Sequence, residues 1–256
     1  LSADFRLRDP ALYASAYGRA HPAPEVLARF AYGLPELYRS ELGKALAEGP
    51  ARLAAPGCFA TALQLATLPA ARARIVRGDA PWILHAVTGS SGSGIEPKAE
   101  THHPHRHGNL WAYALGGHRH EAELVQALAA HASTLGALPP IHFVPHSGPF
   151  ARGIHLTAAL PLERGVDGAR AHAVYAEAYS GEPFVEVLAE GVPDLRMVVG
   201  SNRAALATSV RGGVLHVLLT LDNLIKGGSG QALQCLNLAL GLEEGAGLPR
   251  NGMGVC

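Results

Sequence analysis

Apolar residues recur along this chain in two rhythms, every three to four positions in some stretches and every second position in others, and the alternation outlines its elements. After Ala55-Pro56-Gly57-Cys58, the residues Ala62, Leu65, Ala66 and Leu68 form one helical face. That helix is expected to end at Pro69, whose nitrogen carries no hydrogen to donate. Residues 82–87 read as a strand running into a glycine–serine loop at 89–94. A helix is expected over 121–130, with Leu124, Val125 and Leu128 on one stripe, and another near 168–179. Strands are expected at 141–144, 153–160, 184–188 and 197–199. Residues 204–210 and 214–221 flank Arg211-Gly212-Gly213, a hairpin signal. A last helix at 230–240 is expected to turn Leu233, Leu236 and Leu240 inward, followed by a glycine-rich, frayed tail. Residues 1–55 carry turn signals at Asp9-Pro10, His21-Pro22 and Leu34-Pro35-Glu36, and no internal repeat is visible. Hairpin-linked strands with helices grouped between them give an α+β fold on a mixed, largely antiparallel sheet.

Composition narrows the function classes. The 256 residues suffice for one large domain or two smaller ones. Lys and Arg total 21 and so do Asp and Glu, so no global field draws nucleic acid or an anionic membrane. Three scattered cysteines suit a reducing compartment, and the expected location is cytoplasmic. The apolar run 215–224 is broken by His216, Asp222 and Asn223, so no membrane span is expected, and no signal-peptide pattern opens the chain.

The candidate chemistry centres on Cys58. Pro56-Gly57 delivers the thiol onto the first turn of an apolar helix, where backbone N–H groups and the helix dipole favour a thiolate and are expected to lower its pKa. His118-Arg119-His120 supplies imidazoles downstream, and a Cys–His pair is the minimum equipment for covalent acyl chemistry. The histidine-rich stretch His102-His103-Pro104-His105-Arg106-His107 invites a metal reading, but no matching ligand pair follows at zinc-like spacing, so an exposed polar loop is expected and no metal site. Cys235 and Cys256 read as chemically silent.

Leu1-Ser2-Ala3-Asp4-Phe5-Arg6-Leu7, Tyr32-Gly33-Leu34-Pro35-Glu36-Leu37, Pro56-Gly57-Cys58, Gly116-Gly117-His118-Arg119-His120, Pro145-His146, Arg152-Gly153-Ile154, Gly200-Ser201-Asn202 and Asp222-Asn223-Leu224-Ile225-Lys226-Gly227 occur in this order. Together they resemble the N-acetyl-γ-glutamyl-phosphate reductases, NADPH-dependent enzymes of arginine biosynthesis, from residue 1 to about residue 248. The resemblance implies a glyceraldehyde-3-phosphate-dehydrogenase-like C-terminal domain over 56–220, a remnant of an NADP-binding Rossmann domain over 1–55, and over 221–256 a helix returning to the nucleotide domain, with its tail. No glycine-rich dinucleotide turn is visible, which implies that roughly a hundred residues of a Rossmann domain are absent.

By the same resemblance, Cys58 attacks an acyl phosphate to give a thioester, hydride from NADPH reduces it, and His118 shuttles the proton. Tyr113 and Glu123 take orienting or substrate-contact roles. Arg119 and Arg152, with Arg6 behind them, are the candidates for substrate anions, because guanidinium offers fixed donor geometry. Ser91, Gly92 and Gly94 in the glycine–serine loop, whose clustered backbone N–H groups suit phosphate or the nicotinamide end of NADP(H), are expected to bind the cofactor, with Asn223 near the nicotinamide. Expected partners are a small acyl-phosphate substrate and further copies of the chain, as homodimer or homotetramer. Phe59 stands where the family commonly has tyrosine, and Gly94-Ile95-Glu96-Pro97-Lys98 replaces a Gly-Arg-Lys run, which moves a basic residue by a few positions. Two alternatives remain: a reductase of carrier-protein-bound aminoadipyl or glutamyl phosphate, and a truncated dimerisation module that does not turn over.

Overall fold

In the computed structural model, which describes residues 3–49, 52–131 and 135–254, a seven-stranded sheet is assembled from β3 (Trp82–Thr88), β4 (Trp111–Ala112), β5 (Ile141–Ser147), β6 (Ile154–Pro161), β7 (Val185–Val187), β8 (Ala204–Arg211) and β9 (Val214–Leu221). Its order is β4-β5-β3-β6-β9-β8-β7. The β3/β5 and β7/β8 pairs are parallel and the other four antiparallel, so the sheet is mixed and largely antiparallel as expected. Gly212 and Gly213, at φ +60° and +76°, form the two-residue turn that joins β8 to β9. Along β6 every second residue is buried and its neighbours half-buried, the signature of a sheet covered on one face.

The cover is α3 (Cys58–Arg72), flanked by α5 (Arg119–Ala129) and α6 (Gly168–Ala178). Residues 59–71 of α3 are all buried, so this helix is core on every side rather than amphipathic. Pro69 does not end it. Lacking an N–H, Pro69 leaves the Leu65 carbonyl without its helical partner, and the Tyr179 hydroxyl donates to that oxygen at 2.6 Å. Tyr175 does the same for the Ala66 carbonyl at 2.6 Å, and the helix runs on to Arg72.

Ahead of this layer, α1 (Pro10–Tyr17) packs on α5, and β1 (Phe30–Tyr32), α2 (Pro35–Ala47) and β2 (Arg52–Ala54) form a parallel crossover unit beside it. A short turn of helix, α4 (His103–Arg106), carries the histidine-rich stretch; its buried Arg106 donates to Ser147 Oγ at 2.6 Å while His103, His105 and His107 stay exposed.

Three further expectations give way. Residues 197–199 are not a strand; Asp194 accepts from the backbone N–H groups of Arg196 and Met197 and caps a 3-10 turn, Leu195–Met197. The last helix, α7 (Gly230–Ala239), does not turn its leucines inward: Leu236 and Leu240 are exposed, while Gln231, Gln234, Cys235 and Asn237 are buried. These amides find partners in Gly33, Glu36, Glu244 and Ala246, so a polar face is the buried one. The tail to residue 254 is docked, with Met253 N–H donating to Val199 O at 2.8 Å and Pro249 O accepting from Asn202 N–H at 2.8 Å. Leu1, Ser2 and Cys256 lie outside the described residues. No helix among the described residues is long and apolar enough to cross a membrane.

Candidate active site

Cys58 is the first residue of α3, with Gly57 in extended conformation as its N-cap. Gly57 has no room for a side chain: a Cβ there would lie 2.3 Å from His120 Nε2. Behind the thiol, a Cβ on Gly227 would lie 2.6 Å from Cys58 Cβ. The thiol turn is thus wedged between the His120 ring and the Gly227 backbone.

Cys58 is half-buried as a residue, and burial of its thiol pushes it up to about 11. The backbone N–H of Phe59 and the Arg6 charge pull it down, and the Glu123 carboxylate pushes it up. The expected lowering is therefore reversed, because desolvation of the thiolate outweighs the helix terminus.

His118 caps α5, its Nδ1 accepting from the His120 backbone N–H at 3.1 Å, which leaves the ring proton on Nε2. Its ring meets Phe59, Phe143 and Tyr113 edge-on at centroid distances of 5.4, 5.8 and 5.9 Å. Burial, with help from the Arg119 charge, lowers it to about 4, so the imidazole is neutral near pH 7. Burial likewise pushes the Tyr113 hydroxyl well above its ordinary value, with the nearby Cys58 adding to the shift.

His118 and Tyr113 line a cavity of about 420 Å³ together with Gly92, Ser93, Lys98, Glu100 and Arg119, whereas Cys58, Ser91, Gly94, Arg152 and Asn223 are not among its lining residues. Arg119 and Lys98 make no ion pair among the described residues, whereas Arg152 pairs with Asp222 Oδ2 at 2.8 Å. Asp222 also accepts from the backbone N–H groups of Gly200, Leu224 and Ile225, which fixes the start of the turn that carries Gly227. Glu123 does not line the cavity. Its buried carboxylate accepts from Tyr32 Oη at 2.6 Å and from Gly57 N–H at 3.2 Å, with Arg6 Nη1 at 3.7 Å.

The glycine–serine loop forms a 3-10 turn, Ser90–Ser93, fastened to its surroundings: Ser91 Oγ donates to Ala151 O at 2.7 Å and accepts from Asn223 Nδ2 at 3.0 Å. Asn223 Oδ1 accepts from Gly153 N–H at 2.7 Å. Both ends of the Asn223 amide are engaged within the protein, so its side chain fixes the loop. Gly94 holds φ at +83° where the loop leaves this anchor. A Cβ on Gly92 would meet Thr88 Oγ1 at 3.5 Å and Asn223 Nδ2 at 3.7 Å, ordinary contact distances, so the loop is packed against its anchor. Among the described residues, no three His, Cys, Asp or Glu side chains converge to hold a metal ion.

Motif reading passed over the groups that brace this site. Lys226 is fully buried, bonds Glu36 and Gln234, and lies over the Phe184 ring. Tyr32, Glu36 and Lys226 all stand in motifs quoted above, and the signal that could have singled them out is a charge of each sign inside an apolar run.

The fold is that of the semialdehyde dehydrogenases. It matches aspartate semialdehyde dehydrogenase II from Vibrio cholerae at a TM-score of 0.61 over 83% of this chain and 69% of that one, at 12% identity. The enzyme from Francisella tularensis matches at 0.59 over 82% and 70%, at 13% identity. The family described as semialdehyde dehydrogenase, dimerisation domain, matches residues 58–223.

Sequence relatives narrow this further. The N-acetyl-γ-glutamyl-phosphate reductase of Nitrosococcus oceani is 42% identical over 253 residues, and that of Dehalococcoides mccartyi strain CBDB1 is 39% identical over 250; each match covers 97% of this chain and 70% of the relative. A LysW-L-2-aminoadipate 6-phosphate reductase of Thermomicrobium roseum is 38% identical over 263 residues, covering 99% and 72%. The chain belongs to the N-acetyl-γ-glutamyl-phosphate reductase family, oxidoreductases of the semialdehyde-dehydrogenase type.

Proposed function

We propose that this chain supplies the catalytic thiol and the dimerisation surface of an NADPH-dependent acyl-phosphate reductase acting on N-acetyl-γ-glutamyl phosphate. The observation that carries the reading is the placement of Cys58 on the first turn of α3, wedged by Gly57 and Gly227, with its neighbour Phe59 in ring contact with neutral His118, which lines a cavity shared by Arg119, Lys98 and Glu100. Arg119 and Lys98 suit the carboxylate and phosphate of such a substrate, Arg119 with a planar fork and Lys98 as a point charge. Arg152, already paired with Asp222, takes a secondary part.

The Cys58 sulfur attacks the acyl carbon, the carbon–oxygen bond to phosphate breaks, and phosphate leaves with its electron pair. With burial pushing its thiol up to about 11, Cys58 gives up its proton as it attacks, and the departing phosphate takes it as hydrogenphosphate. NADPH, when bound, supplies hydride to the acyl carbon of the thioester. His118 donates from its Nε2–H to the oxygen of the tetrahedral adduct and so stabilises it, and collapse to aldehyde expels the Cys58 sulfur, which is reprotonated to the free thiol. Gly92, Ser91 and Gly94 border the place where the nicotinamide end would lie, and Asn223 holds that loop in shape. Tyr113 closes one wall of the cavity beside His118.

Residues 1–55 brace the thiol turn, 56–220 carry the thiol and the sheet, and 221–256 pack back on the first segment through α7. The match to a dimerisation domain supports assembly through 56–220, as a homodimer or homotetramer, and it equally supports the chain as given being a module that holds the thiol without turning over alone. The Thermomicrobium roseum relative supports a second substrate reading, an acyl phosphate carried on a protein.

The test needs no cofactor. N-acetyl-γ-glutamyl phosphate should release phosphate in a stoichiometric burst and leave an acyl adduct on Cys58, read by intact mass; Cys58→Ser should give neither. A burst only with a carrier-bound acyl phosphate would select the second substrate, and no burst with either would reject acyl-phosphate chemistry at this thiol.

A further inference from the structure

Helices α3, α5 and α6 cover one face of the seven-stranded sheet, and the strand residues that alternate with the core point to the other face. That second face carries Ile83, Val87, Val144 and Leu218 on β3, β5 and β9, and Ile83 is 47% exposed. Five histidines stand at outward positions beside them: His85, His142, His146, His155 and His216. Across β5, β3, β6, β9 and β8 no outward position holds Asp, Glu or Lys, and Arg211 stands at the corner beside the hairpin. At the far edge Glu186 on β7 pairs with Arg203.

Three of these imidazoles gather round Val87. His146 is its register partner on β5 and His155 its register partner on β6, while His85 precedes it by two residues on the same face of β3. The His85 and His146 rings lie 4.3 Å apart between centroids. Burial lowers the pKa of His85, and His146 and His155 push it the same way; burial lowers that of His155 too, and no carboxylate offsets either shift. His142 differs, because the Glu121 carboxylate on α5 feels its charge. Where β6 begins, Leu195 and Val199 pack against Gly153, and the neighbouring charges Arg152 and Asp222 pair with each other. Apart from Arg211 at its corner, the bare face is therefore uncharged while its imidazoles are neutral and cationic once they protonate.

The match to a dimerisation domain spans residues 58–223 and takes in all seven strands, of which only this face is left without a covering layer. A charged partner would leave its carboxylates or ammonium groups unpaired against it, whereas a second identical face brings none. We propose that a second copy of this chain pairs across the bare face, and that His85, His146 and His155 make the pairing labile to acid. This rests on the chain assembling through 56–220. Pairing strips water from the imidazoles and brings two sets of them together, so the paired state keeps them neutral to lower pH than the single chain does. Their contribution to assembly is fully present above the ordinary histidine value of about 6.5 and is lost as pH falls below it.

Sedimentation velocity of the chain, with far-UV circular dichroism at each pH, tests the pairing. The dissociation constant should rise at least about tenfold between pH 8 and pH 5.5 while helix content holds. His85→Gln combined with His155→Gln should assemble as the parent does at pH 8 and keep that assembly at pH 5.5; His85→Gln alone decides the matter if the double variant does not fold. Acid unfolding through His118 would persist in the double variant and so stands apart. Ile83→Glu, which sets a carboxylate in the exposed part of the face, should weaken assembly at least about tenfold at pH 8. His172→Gln, on α6 behind the sheet, should dissociate in acid like the parent. Assembly equal at the two pH values, a double variant that dissociates in acid as the parent does, or Ile83→Glu assembling unchanged would overturn the acid-labile face. A single-chain species at every pH would instead overturn assembly through 56–220.

Discussion

Gly227 and Cys58 pack with no space for one more carbon: a Cβ on Gly227 would lie 2.6 Å from Cys58 Cβ and 3.1 Å from Cys58 Cα. The two residues are 169 positions apart in sequence, and the five-residue turn Ile225–Ser229 brings them together, anchored by Lys226 in the core.

Gly227→Ala is therefore expected to push the turn away from the thiol. The overpacking should lower stability by about 1–3 kcal/mol and slow acyl transfer at Cys58. Urea unfolding and the phosphate burst check the two effects; an unchanged burst in the alanine variant would show that the turn has no bearing on the sulfur.

Lys226→Met should be more damaging. It leaves Glu36 buried without its cation, a change of about 3–5 kcal/mol for a broken buried pair. Glu36→Gln combined with Lys226→Met should recover part of the loss, since no unpaired charge then remains. Chemical denaturation of the single and double variants gives the comparison, and a single variant as stable as the parent would contradict the buried-pair account.

Cys58 and Cys235 are both pushed up to about 11 by burial, so access rather than acidity should separate them. Cys58 is half-buried and Cys235 is 3% exposed. Iodoacetamide should label Cys58 first, at a rate rising about tenfold per pH unit as the thiolate fraction grows. Peptide mass mapping follows both sites. A plateau for Cys58 near neutral pH would mean that the helix terminus outweighs burial after all.

His118 should carry the greater share of proton transfer: His118→Asn is expected to lower turnover by roughly two to four orders of magnitude, and His120→Asn less. The reverse ranking in steady-state kinetics would exchange their roles and leave the reaction class intact.

Acid should destabilise the fold through the same ring. His118 titrates at about 4 when folded against an ordinary value of 6.5, so the unfolded chain binds more protons between the two. The contribution of His118 is fully present above pH 6.5 and declines as pH falls towards 4. His120, lowered well below its ordinary value by burial, adds to the trend. Thermal melts across this window should flatten in His118→Asn, and an unchanged slope would place the effect elsewhere.

Local pattern determined a good deal. Short apolar runs marked β3 and β6; Arg211-Gly212-Gly213 marked the hairpin and with it β8 and β9; Pro56-Gly57 marked the start of α3 and so the place of Cys58. These features depend on neighbours a few positions apart, which a linear reading can see. Tertiary structure decided the rest, because it turned on partners far away in the chain. Pro69 stays inside α3 only because Tyr179, 110 positions on, supplies the hydrogen bond that proline cannot. The polar face of α7 is buried only because Gly33 and Glu36 wait for its amides, which left its leucines outside. The acidity of Cys58 was set the same way: the helix terminus is local, but the burial that overrides it comes from α5 and the Gly227 turn closing around the sulfur.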